Sequence, residues 1–224
     1  MLVKDKMNRQ VITIEPQTTV PDALALMEEK RVRRLPVVEQ DRLVGIVTLL
    51  DLVRASPSPA TSLSIWELNY LLAKLPVKDV MAKKLYTVRM DAPIDEAAAL
   101  LRENRIGGLP VVDNGKIVGI ITETDIFTAF MEMLGVSRGG LRLTLELPDR
   151  SGALAEADEL LRNFGVTIIS VVMMPRDAQK NLGQSIWRLH GCDDVDALLD
   201  FLREKSYRVV HVSESNVCTE DQAQ

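Results

Sequence analysis

The stretches LPVVEQDRLVGIVTLLD (residues 35–51) and LPVVDNGKIVGIITETD (residues 109–125) decide how this chain is read. They lie 74 residues apart. The correspondence runs without a gap over 3–51 against 77–125, with 19 identities in 49 positions. A period this long, present twice, marks a duplicated unit that forms a pseudo-symmetric pair. In each copy two apolar runs flank a polar turn, at 39–42 in the first and at Asn114 and Gly115 in the second. Asn-Gly between apolar runs is a strong hairpin signal.

Working outward, each copy reads as strand, helix, strand, strand, helix. VITI (11–14) is a short β-branched run. TVPDALALMEEKRV (19–32) opens with a threonine cap and a first-turn Pro and Asp, then places apolar residues at helical spacing. LLDLVRA (49–55) and ETDIFTAFMEML (123–134) follow the second hairpin strands as helices. ASPSPATS (55–62) reads as a loop, and LSIWELNYLLAKL (63–75) as an amphipathic helix.

The pattern changes near Leu141. LRLTLEL, then a capped helix ending at Gly165, then VTIISVVMM, a polar turn at 176–181, GQSIWRLH, the helix VDALLDFLREK and YRVVHVS give the order βαββαβ. GVSRGG (135–140) reads as a linker. The fold class expected is therefore α+β: a repeat pair over 1–134, with repeat one at about 1–55, linker and helix 56–76 and repeat two at about 77–134. A linker at 135–140, a second domain over 141–213 and a polar tail at 214–224 complete it.

Composition narrows the function. With 224 residues, 46% hydrophobic and 26% charged, the chain has the make-up of a globular protein of two domains. A net charge of −5 with no basic block argues against a nucleic-acid partner. The longest uncharged apolar stretch, 166–175, is too short to span a bilayer, and the start MLVKDKMNRQ lacks a signal's apolar region. Cys192 and Cys218 suit free thiols, so the expected location is cytoplasmic and no membrane partner is expected. No metal set, Walker motif, G-x-S-x-G or HExxH occurs, and His190 and His211 fall in strands, so no catalytic residues are assigned.

The hydroxyls and acids after each second hairpin strand carry the candidate site. Thr48-x-x-Asp51 is in register with Thr122-x-x-Asp125, whereas Glu123 and Thr124 match only Leu49 and Leu50. Thr before Asp at this spacing is an ordinary helix cap; its repetition after the same Gly-apolar-apolar strand favours a ligand site. An ionised Asp accepts from both hydroxyls of a ribose, and a Thr hydroxyl with first-turn N–H groups suits a phosphate. Glu123 and Asp125, two apart on a helix, point apart and are not read as a carboxylate pair.

These residues, with VKDKM…VITI…RLPVV…VGIVTLLD and VKDVM…YTV…GLPVV…VGIITETD, resemble paired cystathionine-β-synthase-type (CBS) domains forming one Bateman module. The resemblance implies adenine nucleotides as regulatory ligands (AMP, ADP, ATP or S-adenosylmethionine) and no classical cofactor. It implies ribose and phosphate contacts at Thr48, Asp51, Thr122 and Asp125. It also implies base pockets framed by Val37, Val111, Ile12 and Tyr86. Basic residues before LPVV then point to Arg33 and Arg34 for phosphates, with Arg31 and Arg105 behind them. Repeat two has Gly107 and Gly108 there, so it either borrows those arginines across the cleft or binds more weakly.

LPDRSGALAEADELLRNFGVTIISV resembles an ACT domain, a ferredoxin-like regulatory module whose ligand loop would hold Asp149, Gly152 and Leu154, with an amino acid or similar metabolite as ligand. Those residues read more simply as a helix-start turn with Asp or Ser as cap. The order of domains resembles bacterial acetoin-utilisation-type CBS–ACT proteins. Together these imply a non-enzymatic sensor, a homodimer or higher homo-oligomer. The alternatives are a nucleotide hydrolase using the same cleft and a structural adaptor with vestigial sites.

Overall fold

The computed structural model describes residues 1–55, 74–148, 150–174 and 182–215. Most of the expected helix at 63–75, the loop before it, the turn at 176–181, Asp149, Cys218 and the tail from 216 lie outside the described residues. The chain divides into two compact units, Met1–Ile126 and Phe127–Gln224.

In the first unit, α1 (Val20–Glu29) begins where the Thr19 hydroxyl accepts from the Asp22 N–H. It ends three residues earlier than the sequence pattern suggests, because Arg31 turns left-handed at φ 52°. β1 (Arg34–Glu39) and β2 (Arg42–Thr48) form an antiparallel hairpin, and α2 (Leu49–Ala55) follows without a break. In repeat two, β3 (Val88–Arg89) and α3 (Ile94–Asn104) precede the β4 (Gly108–Asp113) and β5 (Lys116–Thr122) hairpin, and α4 (Glu123–Met133) closes it. Both hairpins turn on two residues of positive φ, Gln40 with Asp41 and Asn114 with Gly115. That geometry matches the strand twist. Both carry a register shift at the same place, after Val37 and after Val111.

The strand expected at 11–14 is reduced to a single parallel bridge, Ile14 with Val37. Ile14 N donates to the Pro36 carbonyl and accepts at its own carbonyl from Val38 N. Pro16, lacking an N–H, lies just beyond. Its counterpart β3 is two residues long and runs parallel to β4.

The VKD segment leading each copy packs on the other copy. Val3 N and Lys4 N donate to the carbonyls of Ala92 and Met90, while Val77 N and Lys78 N donate to those of Thr18 and Pro16. Further on, Asn8 and Ile120 exchange both backbone bonds, as do Ala82 and Ile46. Here the methionine of each leading segment needs a partner without Cβ. A Cβ at Gly119 would meet Met7 Sδ at 2.6 Å, and one at Gly45 would collide with Met81 Sδ. Leu35, Val37 and Val47 are fully buried, as are Leu109, Val111 and Ile121 in the second copy. One packing scheme thus serves both repeats.

In the second unit, β6 (Gly140–Pro148), α5 (Ala153–Phe164), β7 (Thr167–Met173), β8 (Leu182–His190), α6 (Val195–Glu204) and β9 (Arg208–Ser215) follow in turn. The sheet is antiparallel with the strand order β7-β8-β6-β9, so each helix connects strands that are not neighbours. Leu141, Leu143, Leu145 and Leu147 alternate along β6 and are buried with Trp187, Leu161 and Leu198. Phe164 and Phe201, one from each helix, lie with ring centroids 5.3 Å apart.

Two expectations change here. The cap of α5 is not a serine: Gly152 holds that place at φ 86° with no side-chain cap. Arg150 instead grips both carboxylate oxygens of Glu156 on the first turn of the helix. Residues 135–140, expected as a linker, are tied to the sheet: Arg188 Nη1 donates to the Gly139 carbonyl at 3.2 Å. Next to them, Ser170 Oγ donates to the Leu134 carbonyl at 2.8 Å. No helix among the described residues is long and apolar enough to cross a membrane.

Candidate functional site

Each Thr–Asp motif sits where a hairpin strand runs directly into a helix. In repeat one, Thr48 donates twice to Asp51 Oδ2, from its N–H at 2.9 Å and its hydroxyl at 2.6 Å. The Asp51 N–H returns a bond to Thr48 Oγ1 at 3.3 Å. In repeat two, Thr122 makes the same two donations to Asp125 Oδ2, at 2.8 and 2.7 Å. All four residues are half-buried. The box satisfies donors at the start of the helix and places a carboxylate in its first turn. It commits Oδ2 and leaves Oδ1 outside these bonds, with lone pairs that suit a diol.

Each threonine hydroxyl has a single proton, and here it goes to the aspartate, so Thr48 and Thr122 orient the acids.

The two strand starts differ sharply. Arg34, half-buried, lies across Gly107 and Gly108 of the other repeat. A Cβ on Gly107 would lie 2.6 Å from Arg34 Nη2 and 3.3 Å from Glu123 Oε2; one on Gly108 would lie 2.6 Å from Arg34 Nη1. The missing side chains of repeat two are therefore what admits the arginine of repeat one. Burial pushes the Arg34 guanidinium below its usual pKa, Glu123 opposes that, Arg33 adds to it and Asp125 opposes it. Arg33 is exposed, and so are Arg31 and Arg105, each left-handed just after its helix.

Glu123, set aside in the sequence because it matches only Leu49, lies beside Arg34 here. The signal was present as a double exchange between the repeats: Arg34 against Gly108, and Leu49 against Glu123. A cation is gained at one position of the first copy and an acid at the facing position of the second.

The other expected residues fall into two groups. Val37 and Val111 are fully buried on their hairpin strands. Their backbones carry the pairing with Ile14 and with Val88. Ile12 and Tyr86 are half-buried at equivalent places, and Lys84 Nζ stands 5.1 Å from the Tyr86 ring centroid. In the second unit Gly152 and Leu154 are exposed at the start of α5. His190 and His211 are exposed on β8 and β9, and among the described residues no three His, Cys, Asp or Glu side chains group to hold a metal. A groove of about 740 Å³ beside α1 lies apart from both motifs, and its lining includes Glu15, Asp22, Glu29 and Asp41, which disfavour a phosphate.

Comparison with known proteins agrees with the duplication. The family model described as the CBS domain matches residues 3–58 and 77–132. The chain is 33% identical over 140 residues to the uncharacterized protein MJ1225 of Methanocaldococcus jannaschii, covering 59% of this chain and 50% of that one. It thus spans about half the length of that relative. It is 34% identical over 136 residues to a CBS domain-containing protein of Dictyostelium discoideum, covering 60% of this chain and 94% of that one. A crystal structure from Vibrio cholerae, described as an acetoin utilization protein (AcuB), is similar at a TM-score of 0.51 and 32% identity, over 62% of this chain and 96% of that one. With both matched segments falling on the two repeats, the chain belongs to the CBS-domain family and carries that domain as a pair.

Proposed function

We propose that the chain is a ligand-responsive regulatory protein whose CBS pair binds adenine nucleosides or nucleotides. The observation that carries this reading is the repeated Thr–Asp box, which presents a pre-oriented carboxylate at Asp51 and again at Asp125. In this reading Oδ1 of each acid takes the ribose hydroxyls, Ile12 and Tyr86 flank the base, and Arg33 and Arg34 are the cations available to a phosphate. AMP, ADP, ATP and S-adenosylmethionine are the ligand set. A ligand that favours one arrangement of the protein shifts it; equal affinity for two arrangements shifts nothing.

We read the second unit as a ferredoxin-like ACT domain over 141–213, on its βαββαβ order and its sheet order. Its ligand loop would be 149–154, with an amino acid or similar metabolite bound there. Leu50 and Val53 on α2 and Phe127 on α4 are exposed apolar residues that suit pairing of two copies.

Thermal melting with AMP, ADP, ATP and S-adenosylmethionine, on wild type, Asp51→Ala and Asp125→Ala, tests the reading. A ligand at 100 times its dissociation constant should add about 2.7 kcal/mol of stability to wild type. Each substitution should remove the contribution of its own cleft. No shift with any adenine compound would sink the sensor, and ATP turnover lost in Asp125→Ala would move the protein to the hydrolases. Sedimentation of the same samples reads whether copies pair.

A further inference from the structure

The two Thr–Asp boxes are alike, but their surroundings are not, and the difference lies in charge. Beside Asp125, Arg34 lies over Gly107 with Glu123 Oε2 against the same space. At the corresponding place in the other half the residues are Gly108 and Leu49, one without a side chain and one apolar. Leu49 N and Glu123 N bond to equivalent carbonyls, of Arg33 and Gly107, so the two residues start their helices from the same position. The asymmetry is therefore chemical and not a shift of backbone.

We propose that Glu123 sets the ligand specificity of the cleft beside Asp125, a proposal that rests on the nucleotide-binding reading above. Its carboxylate stands where an anionic 5′ group would approach Arg34. Glu123 adds a second carboxylate beside Asp125 and Arg34, a negative charge that the other cleft lacks. An incoming phosphate has to compete with Glu123 for Arg34 and then remain beside that carboxylate. Both steps disfavour AMP and, more strongly, ATP. An adenosine ligand with a neutral or cationic 5′ substituent meets neither cost, and a cationic one gains from Glu123. The cleft beside Asp51 has no acid at the equivalent of Glu123, so it lacks this discrimination. One protein then holds one cleft open to phosphates and one selective against them.

Isothermal titration of Asp51→Ala, which leaves the Asp125 cleft as the one that reports, separates the possibilities. The probes are adenosine, S-adenosylmethionine, AMP and ATP. Adenosine and S-adenosylmethionine should bind more tightly than ATP. Adding Glu123→Gln should raise the affinity for AMP relative to adenosine by about tenfold or more, the effect of removing one nearby charge. Adding Arg34→Gly to Glu123→Gln should cancel that gain while leaving adenosine binding in place. If Glu123→Gln melts early, Glu123→Leu, which restores the residue of repeat one, serves as the second variant. An AMP-to-adenosine ratio unmoved by Glu123→Gln, or ATP binding tighter than adenosine in Asp51→Ala, overturns the proposal while the nucleotide reading stands. Failure of wild type to bind any of the four overturns both.

Discussion

Repeat one and repeat two follow the same backbone plan, with hairpins that turn on two positive-φ residues, shift register at the same valine and run into a helix through the same Thr–Asp box. They differ in what the box faces. In the first copy the strand starts with two arginines and the helix starts with two leucines; in the second the strand starts with two glycines and the helix with Glu123 and Thr124. Backbone geometry is kept by short-range chemistry, the apolar alternation and the cap, which both copies retain. Charge is free to diverge, because exposed and half-buried positions at the rim make little demand on the core. The rims of the two boxes have diverged while their backbones have not.

The comparison can be broken first at the core. Leu35→Ala and Leu109→Ala each delete a fully buried side chain at equivalent positions. Each should cost about 3 kcal/mol in chemical denaturation. A gap between them of more than about 1 kcal/mol would mean that the symmetry of the backbone does not extend to its packing.

The exchange of leading segments gives a smaller effect. Gly45→Ala drives a Cβ into Met81, and Gly119→Ala drives one into Met7. Each should destabilise by about 1–3 kcal/mol. Combining Gly45→Ala with Met81→Ala should show coupling of about 0.5–3 kcal/mol in a double-mutant cycle, and Gly119→Ala with Met7→Ala likewise. Strict additivity would show that the leading segments do not bear on the opposite repeat.

The caps sharpen the comparison most finely. Thr48→Val and Thr122→Val keep the shape and remove the hydroxyl, and each should cost about 1 kcal/mol. Thr48 also accepts from the Asp51 N–H at 3.3 Å, so its loss should be the larger of the two by a few tenths. Thermal melting of the two variants side by side reads the order, and the reverse order would contradict the hydrogen-bond geometry.

Much of this was legible in the sequence. The 74-residue offset announced the duplication, and Asn114 with Gly115 announced a hairpin that the first copy repeats with Gln40 and Asp41. The threonine cap of α1 and Gly165, the glycine that ends α5, fell where residue chemistry places them. Element ends were less legible. Val11 to Ile14 has the composition of a strand, yet pairing needs a partner edge, and one bridge is all that edge offers. At the start of α5 a Ser and an Arg preceded the glycine that actually caps it, because Arg150 finds Glu156 instead.

At the candidate site the sequence singled out Thr48, Asp51, Thr122 and Asp125 by repetition, a signal that depends on likeness. Glu123 was invisible to that signal because it is defined by difference, and a difference acquires meaning only when its partner is known to be near. By itself, then, the sequence determined the duplicated unit with its paired Thr–Asp motifs, through one fixed offset, and the hairpins and capped helices, which follow from residues close in the chain. Only the tertiary structure decided that VKDKM and VKDVM pack on each other's repeats, that each threonine gives its proton to its aspartate, and that Arg34 crosses to Gly107 and Glu123. Those contacts join positions far apart in the chain, or fix the direction of a single proton, and neither is written in local spacing.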